Sequence, residues 1–503
     1  MGRRAVVCAT LTGVIGLAFL VTGAVLIPVL KNITVHKVDD TIPITEGSVT
    51  YDAWKTPSDS APIYFQTYLF DLVNHEEVIL EGKKPILQQK GPYTYQEKRK
   101  KVNITFHDNG TVSYRELHYY IFDREMSVGD ENDTFTTINL PMVTLANMLR
   151  FEYDVILQGL QALFTTVGEN LFLELSVADI LWGYEDNLLK EAKHILADYN
   201  LTFPIDDKFG LFYKQNTSDD GEYMIYTGQS DLRNFAYIES WNGKSTLDFW
   251  TTDQANQING TAGTMYPPFV KKEDILYLFS SDIGRSVYGT YTQDQNLYDI
   301  ELLRFVPPKA VFENHTLNPA NTGFCVPVGT CLDSGVLNIS VFKQGAPVVM
   351  SQPHFLAGAQ KYISGVEGMH PNQEEHQTFF DVEPTTGVVM NVAKRLQVNV
   401  YLQHIPFITD LEKITKPILF PVVWVNESAT ITQKTASAFK KQVQDPMKLT
   451  KALEYTLIIV GVAMIIFVLA YFIRKAISKF NQPVKKELNH VEDVRDTTNL
   501  VTE

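Results

Sequence analysis

Residues 107–123 read HDNGTVSYRELHYYIFD. Asn109-Gly110 is a two-residue hairpin signature, because both central positions of such a turn need positive φ. The residues after it are β-branched and aromatic, which predicts a strand from Thr111 to Asp123. The same chemistry returns as VLNISV (336–341), APVVMS (346–351), GVVMNV (387–392), LQVNVYLQ (396–403) and LFPVVWV (419–425). Gly, Pro and Asn separate these runs. Many strands joined by short turns point to a mostly antiparallel sheet or barrel. No repeat, low-complexity tract or Pro/Ser-rich linker interrupts residues 31–454, so one continuous domain is expected.

One region departs from this pattern. From Pro141 to Tyr199 the apolar spacing becomes helical, with Phe151, Val155, Ile156, Leu160, Leu163, Phe164 and Val167 three and four apart. Ser176 with Asp179 reads as a capping box, predicting a second helix from Val177 to about Leu196. Leu157 adds apolar surface off the main stripe. Neighbouring helices can cover such a surface; the sharper reading is an apolar patch on a helical head (141–199), open to a protein partner or a second copy.

Both ends of the chain are apolar. Ala5 to Leu30 runs 26 residues without a charge, and Tyr455 to Ile473 runs 19. A transmembrane helix needs about 20 such residues. A cleaved signal peptide is the rival reading of the first run, which exceeds the usual h-region of about 7–15 residues. Arg3 and Arg4 precede the first run, and Arg474, Lys475 and Lys479 follow the second. Positive residues stay on the cytosolic side, so residues 1–4 and the tail 474–503 are expected there. Segments 5–30 and 455–473 then span the membrane, and 31–454 forms an ectodomain on the other side.

Sequons support that topology. Besides Asn32, which is close to the membrane, Asn-x-Ser/Thr occurs at Asn103, Asn109, Asn132, Asn200, Asn216, Asn259, Asn314, Asn338 and Asn426. All lie between the apolar runs, as a glycosylated ectodomain requires. The formal net charge is −15, with 45% apolar and 20% charged residues. Two basic residues precede the first run, and the tail has six basic and five acidic ones, which leaves −18 between them. So acidic a body disfavours nucleic acid as a partner. Cys325 and Cys331, six apart in an oxidising compartment, are expected to pair. Cys8 reads as a small apolar residue of the first span, with palmitoylation as the alternative.

Catalytic signatures are missing. The chain has no Gly-x-Ser-x-Gly elbow, no phosphate-cradling Gly-rich loop and no His-Glu-x-x-His. His370 and His376 flank Glu374 and Glu375, but Pro371 breaks any helix that would present both histidines together. Two cysteines with no nearby histidine supply too few ligands for a metal. Neither enzymatic activity, a cofactor nor a resident metal is expected.

Several blocks together resemble the class B scavenger receptor family: GPYTY (91–95), DNGT (108–111), SVGD (127–130), LWGY (181–184), WNGK (241–244), PHF (353–355), EGMHPN (367–372) and Lys394-Arg395. Within that family the stretches NTGFCVPVGTCLDSGVLNIS (321–340) and FGLFYKQNTSDDGEY (209–223) are similar to its lysosomal branch. The resemblance implies a large antiparallel β-barrel ectodomain with an internal lipid tunnel and a helical-bundle head. It implies delivery of the hydrolase β-glucocerebrosidase through Phe151, Val155, Ile156, Leu157, Leu160 and Phe164. It implies passage of cholesterol or phospholipid through the tunnel. Asp496, Leu500 and Val501 are similar to an acidic dileucine signal for clathrin adaptor complexes, with Val where Leu or Ile is preferred. A lysosomal membrane receptor is the leading reading; a plasma-membrane scavenger receptor for lipoproteins or fatty acids is the alternative.

The chain departs from the family in three ways. Gly284 and Phe342 stand where relatives carry cysteines, so a bridge worth about 2–4 kcal/mol is missing. Residues 141–176 lack the histidine that would sense acid, which leaves His194 as the local candidate. Glu152, Asp154, Glu169 and Glu174 respond only at lower pH unless burial raises them. The head is also about two residues longer.

Overall fold

The computed structural model describes residues 2–198 and 206–498. They divide into two compact units, 41–436 and the paired terminal segments 1–40 and 437–503. The larger unit is built on a thirteen-stranded sheet, eleven strands of which lie on one continuous path. In chain order these are β1 (Ile63–Leu72), β2 (Leu87–Phe106), β3 (Thr111–Asp123), β4 (Glu222–Tyr226), β5 (Ile238–Trp241), β6 (Ile275–Ser280), β7 (Arg285–Leu297), β8 (Ile300–Val306), β9 (Phe379–Val382), β10 (Val389–Leu402) and β11 (Ile418–Thr430). Their order in space is β6-β7-β8-β9-β10-β11-β1-β2-β3-β4-β5, antiparallel throughout. Most strands thus lie beside a neighbour in the strand sequence, but three pairings on this path are long-range: β3 with β4 across the head, β8 with β9, and β11 with β1. A short ribbon, Val336–Asn338 with Val348–Ser351, pairs onto β10.

The two free edges nearly meet. The Ile238 amide donates to the Gly260 carbonyl (2.9 Å), the Thr261 amide to Tyr277 (3.2 Å) and the Phe279 amide to Thr261 (2.9 Å). Residues 260–261 thereby stitch β5 to β6 and satisfy edges that would otherwise be open. The predicted strand Thr111–Asp123 is β3, entered by Gly110 at φ +78°. The runs at 387–392 and 396–403 merge into the single strand β10, and VLNISV is extended only from Val336 to Asn338.

Helix α1 (Gly2–Thr41) contains the first apolar run. Helix α2 (Val49–Lys55) starts at Ser48, whose hydroxyl accepts from the Tyr51 amide, and buries Trp54 edge-on against Tyr114 at 4.9 Å. The head holds α3 (Leu140–Leu149), α4 (Asp154–Val167), α5 (Val177–Trp182) and α6 (Asn187–Asp198). The capping box at Ser176 and Asp179 is present, but the helix it starts is short. Gly183, at φ +114°, ends α5, so the predicted helix to Leu196 is two helices. Part of the predicted helical span is extended: Phe172–Ser176 pairs with Thr134–Ile138 in a two-stranded ribbon. Trp182 ties the head to the barrel, with ring centroids 5.1 Å from both Tyr95 and Tyr120.

The smaller unit contains α1 and α7 (Asp445–Thr498). Both are long and apolar enough to cross a membrane, with mean hydropathy of 2.2 over Arg4–Val29 and 2.9 within Gln433–Ser478. They pack through small residues: a Cβ placed on Gly461 would lie 2.8 Å from the Gly16 carbonyl oxygen.

Candidate functional site

Strand alternation puts a row of side chains on one face of the barrel wall. Lys394 on β10 stands opposite Glu427 on β11, which stands opposite Phe65 on β1, then Tyr95 on β2 and Phe122 on β3. Glu97 and Arg99 follow Tyr95 at two-residue steps on that face, and His118 and Tyr120 belong to it on β3.

These residues form a chain of ion pairs and hydrogen bonds. His118 Nδ1 lies 2.8 Å from Glu97 Oε1, and Arg99 Nε lies 2.6 Å from the same oxygen. Arg99 Nη2 bonds Glu427. Lys394 Nζ lies 2.5 Å from Glu427 and 2.7 Å from Asp282 in the β6–β7 turn. Lys101 and Glu116 form an adjoining pair. Burial would raise the Glu427 carboxyl, but Lys394 and Arg99 outweigh it and hold it far below the carboxylate range. Lys394 keeps the Asp282 carboxyl low, against the opposing effect of burial.

Asp282 also reaches across the sheet. After burial, Glu97 and Glu427, it is among the charges that raise the Tyr120 phenol on β3. The β6–β7 turn and β3 stand at opposite ends of the strand order. The Lys394–Asp282 bond makes the same crossing directly, since β10 lies four strands from β6 in the sheet. Yet Asp282 exposes 44% of its side chain and Lys394 34%.

The opposite face carries a second buried cluster. His354 stacks on His376 at 4.5 Å, and His376 meets Trp424 edge-on. His354 Nδ1 accepts from the His370 amide (3.0 Å), and His354 Nε2 lies 2.6 Å from Gln89 Oε1, which also accepts from Trp424 Nε1 (2.6 Å). His376 Nδ1 accepts from the Asn372 amide (3.0 Å). Burial first, then the other histidines, pushes His354 down to about 3; burial and Arg395 push His376 down to about 4. The His370/His376 region is thus a hydrogen-bonded loop, as its sequence suggested.

The head presents apolar groups at the turn from α3 to α4. Phe151 is 85% exposed and Val155 71%, with Tyr153, Ile156 and Met148 beside them in the exposed class. Arg150 stacks on the Phe151 ring at 4.3 Å. Leu157, Leu160 and Phe164 correct the sequence reading, because they are buried in the head's own core. They lie on the inner side of α4, and three-to-four spacing marks one stripe without saying which part faces inward. Beneath the head an apolar cleft is lined by Ile138, Leu140, Leu175, Ile180, Leu211 and Val422, among others.

Other expected residues are scattered. His194 is exposed on α6. Asn103, Asn109, Asn132 and Asn216 are exposed; Asn259, Asn314, Asn338 and Asn426 are half-buried. Asn200, Leu500 and Val501 lie outside the described residues, and of Asp496 only the helical backbone is described. Cys325 and Cys331 are bonded to each other. His315 overturns the statement that no histidine lies near them: one ligand atom from each of the three residues falls within 4.8 Å of the others. Ten residues separate His315 from Cys325, so only the folded loop reveals the return. The Phe342 ring lies against Gly284, where an added Cβ would come within 3.1 Å of it, and packs edge-on against Phe249 at 5.2 Å.

The CD36 family profile matches residues 14–472. Lysosome membrane protein 2 of Mus musculus is 38% identical over 468 residues, 92% of this chain and 94% of that protein. Its Homo sapiens counterpart is 37% identical over 466 residues, covering 92% and 94%. Scavenger receptor class B member 1 of Sus scrofa is 35% identical over 473 residues, covering 94% and 90%.

Proposed function

This chain belongs to the CD36 family, and from that premise we propose a two-pass lysosomal membrane receptor whose barrel conducts cholesterol or phospholipid and whose head carries β-glucocerebrosidase. The relatives named for the lysosome membrane and for scavenger receptors support a receptor role over an enzymatic one. Two terminal helices of spanning length fit a two-pass chain with both short ends cytosolic.

One observation carries the conduit reading. Asp282 and Lys394 are reached by solvent although their ion pair lies within the barrel wall's inward face. Inward side chains with open surface line a space, since a packed core leaves few voids larger than a water molecule. A lipid inside would set its polar group against the charged row and its apolar part against Phe65, Trp182 and Phe212. Native mass spectrometry of the purified glycoprotein tests this: copurified lipid is expected, and a uniformly empty protein counts against it.

The exposed apex supports docking at the head. Phe151→Asp with Val155→Asp is expected to abolish capture of β-glucocerebrosidase at pH 7 without lowering the melting temperature. Capture by wild type that fails at pH 5 would fit delivery to an acid compartment. The alternative, a plasma-membrane receptor for lipoproteins or fatty acids, is favoured by one feature, Val501 in place of the preferred Leu or Ile. Leu500→Ala with Val501→Ala decides between them, because a lysosomal protein sorted by adaptors should shift to the cell surface.

A further inference from the structure

The segment from Phe312 to Asn338 is held by more than its disulfide. The Asn314 side chain donates to the Leu332 carbonyl (2.7 Å), and its backbone amide donates to Ser334 Oγ (2.9 Å). Asn321 donates to the carbonyls of Ala310 (3.0 Å) and Glu313 (2.8 Å). Asn338 donates to the Val326 carbonyl at 2.9 Å. The arm carrying His315 and the arm carrying the two cysteines are therefore positioned by side-chain-to-backbone bonds that do not pass through sulfur. Within this frame His315 Nδ1 is buried and has no hydrogen-bond partner. A buried nitrogen left without a partner is destabilising, and a ligand that satisfies it removes that cost.

We propose that Cys325, Cys331 and His315 form a latent metal site that takes a zinc ion when the disulfide is reduced. Ligand atoms of the three residues already fall within 4.8 Å of one another. Zinc binds sulfur at about 2.3 Å and imidazole nitrogen at about 2.0–2.1 Å, so its ligands stand roughly 3.5–4 Å apart. The sulfurs need only separate from bonding distance to that spacing. The tip between them, Pro327, Val328, Gly329 and Thr330, is exposed and closed only by bonds from Thr330 to the Pro327 carbonyl, so little packing opposes that separation. Two low-molecular-weight thiols reduce the bridge, giving two cysteine thiols and one external disulfide. Zinc then displaces one proton from each thiol and accepts the imidazole lone pair. Two protons leave, and water fills the fourth position. Two thiolates and one imidazole suit zinc and exclude magnesium or calcium, which prefer oxygen. Because the ligands must be deprotonated, the site fills at neutral pH and empties in acid.

The test uses the full-length chain in detergent, reduced with a phosphine, whose oxide carries away the oxygen of water, and then desalted without air. Cobalt titration should produce a near-ultraviolet thiolate band that saturates at about one equivalent and that zinc displaces. Zinc should slow alkylation of Cys325 and Cys331 at least tenfold, read peptide by peptide, and leave Cys8 unchanged. His315→Ala should weaken zinc binding at least tenfold, and Cys325→Ser should abolish the cobalt band. Unprotected thiols in zinc overturn the proposal. Wild-type affinity in His315→Ala overturns the role of the imidazole. A reduced chain that loses its near-ultraviolet circular dichroism and binds no cobalt also overturns it, because the frame must hold the arms without the bridge.

Discussion

At Gly260 the closure of the barrel depends on a missing side chain. A Cβ there would lie 1.9 Å from the Tyr277 carbonyl oxygen, and the backbone sits at φ +84°. Gly260→Ala is expected to cost at least about 1–2 kcal/mol through strain and lost seam bonds. Urea unfolding at pH 7 measures it, and an unchanged midpoint would mean that residues 260–261 do not join β5 to β6. The head offers a contrast between adjacent apolar residues. Leu157, 1% exposed, should cost about 2–5 kcal/mol as Leu157→Ala. Phe151→Ser, at a site 85% exposed, should stay within about 0.5 kcal/mol. Loss of stability in the second variant would show that Phe151 packs and does not dock. The sequence grouped these residues because periodicity reports a face and not what covers it. The Gly284–Phe342 contact was half legible: the absent cysteines could be read, but a ring filling the space left by glycine could not.

Two of the head's helices, α3 and α6, start on a side-chain oxygen, an amide in one and a carboxylate in the other. Asn139 caps α3 by accepting from the Met142 amide, and it donates to Glu169 at 2.5 Å. Asp186 caps α6 by accepting from the Leu189 amide at 2.8 Å. Burial raises both Glu169 and Asp186 above the ordinary carboxylate range, against these hydrogen bonds. A carboxyl whose folded pKa is raised destabilises the fold while ionised. That cost is relieved as pH falls through the folded value towards the unfolded one. Acid should therefore tighten the head. Amide exchange in α3 and α6, corrected for intrinsic rates, should slow from pH 7 to pH 5, and Glu169→Gln with Asp186→Asn should flatten the change. Faster exchange in acid would refute this account. The capping box at Ser176 was visible in sequence, since it needs only two residues at fixed spacing. The strand Phe172–Ser176 was not, because Phe172, Leu173 and Leu175 continue an apolar run whose pairing partner, Thr134–Ile138, lies far upstream.

Across the whole of the larger unit the response to acid has the opposite sign at the cluster around His354 and His376. Hairpins such as β2–β3 were legible because a local turn signal joins neighbours, whereas the β3–β4, β8–β9 and β11–β1 pairings and the seam at 260–261 bring together segments that share no local pattern. Only that assembly stacks His354 on His376 beside Trp424. Each ring has a nitrogen held as an acceptor by a backbone amide, from His370 to His354 and from Asn372 to His376. Protonation would turn that acceptor into a donor facing a donor. With folded values of about 3 and about 4, both rings stay neutral at pH 5 while an unfolded histidine near 6.5 takes a proton. The unfolded chain then binds more protons, so stability is complete above about pH 6.5 and falls as pH drops towards the folded values. The loss is about 2 kcal/mol per histidine at pH 5. Urea midpoints of the larger unit should accordingly fall from pH 7 to pH 5. His354→Gln with His376→Gln should start less stable at pH 7, because the cluster loses its stacking, but should lose about 4 kcal/mol less on acidification. If the variant keeps the wild-type slope between pH 7 and pH 5, the two histidines do not carry the acid response; Glu427 and Asp282 cannot replace them there, because both are held low and their contribution is lost only below the ordinary carboxylate range.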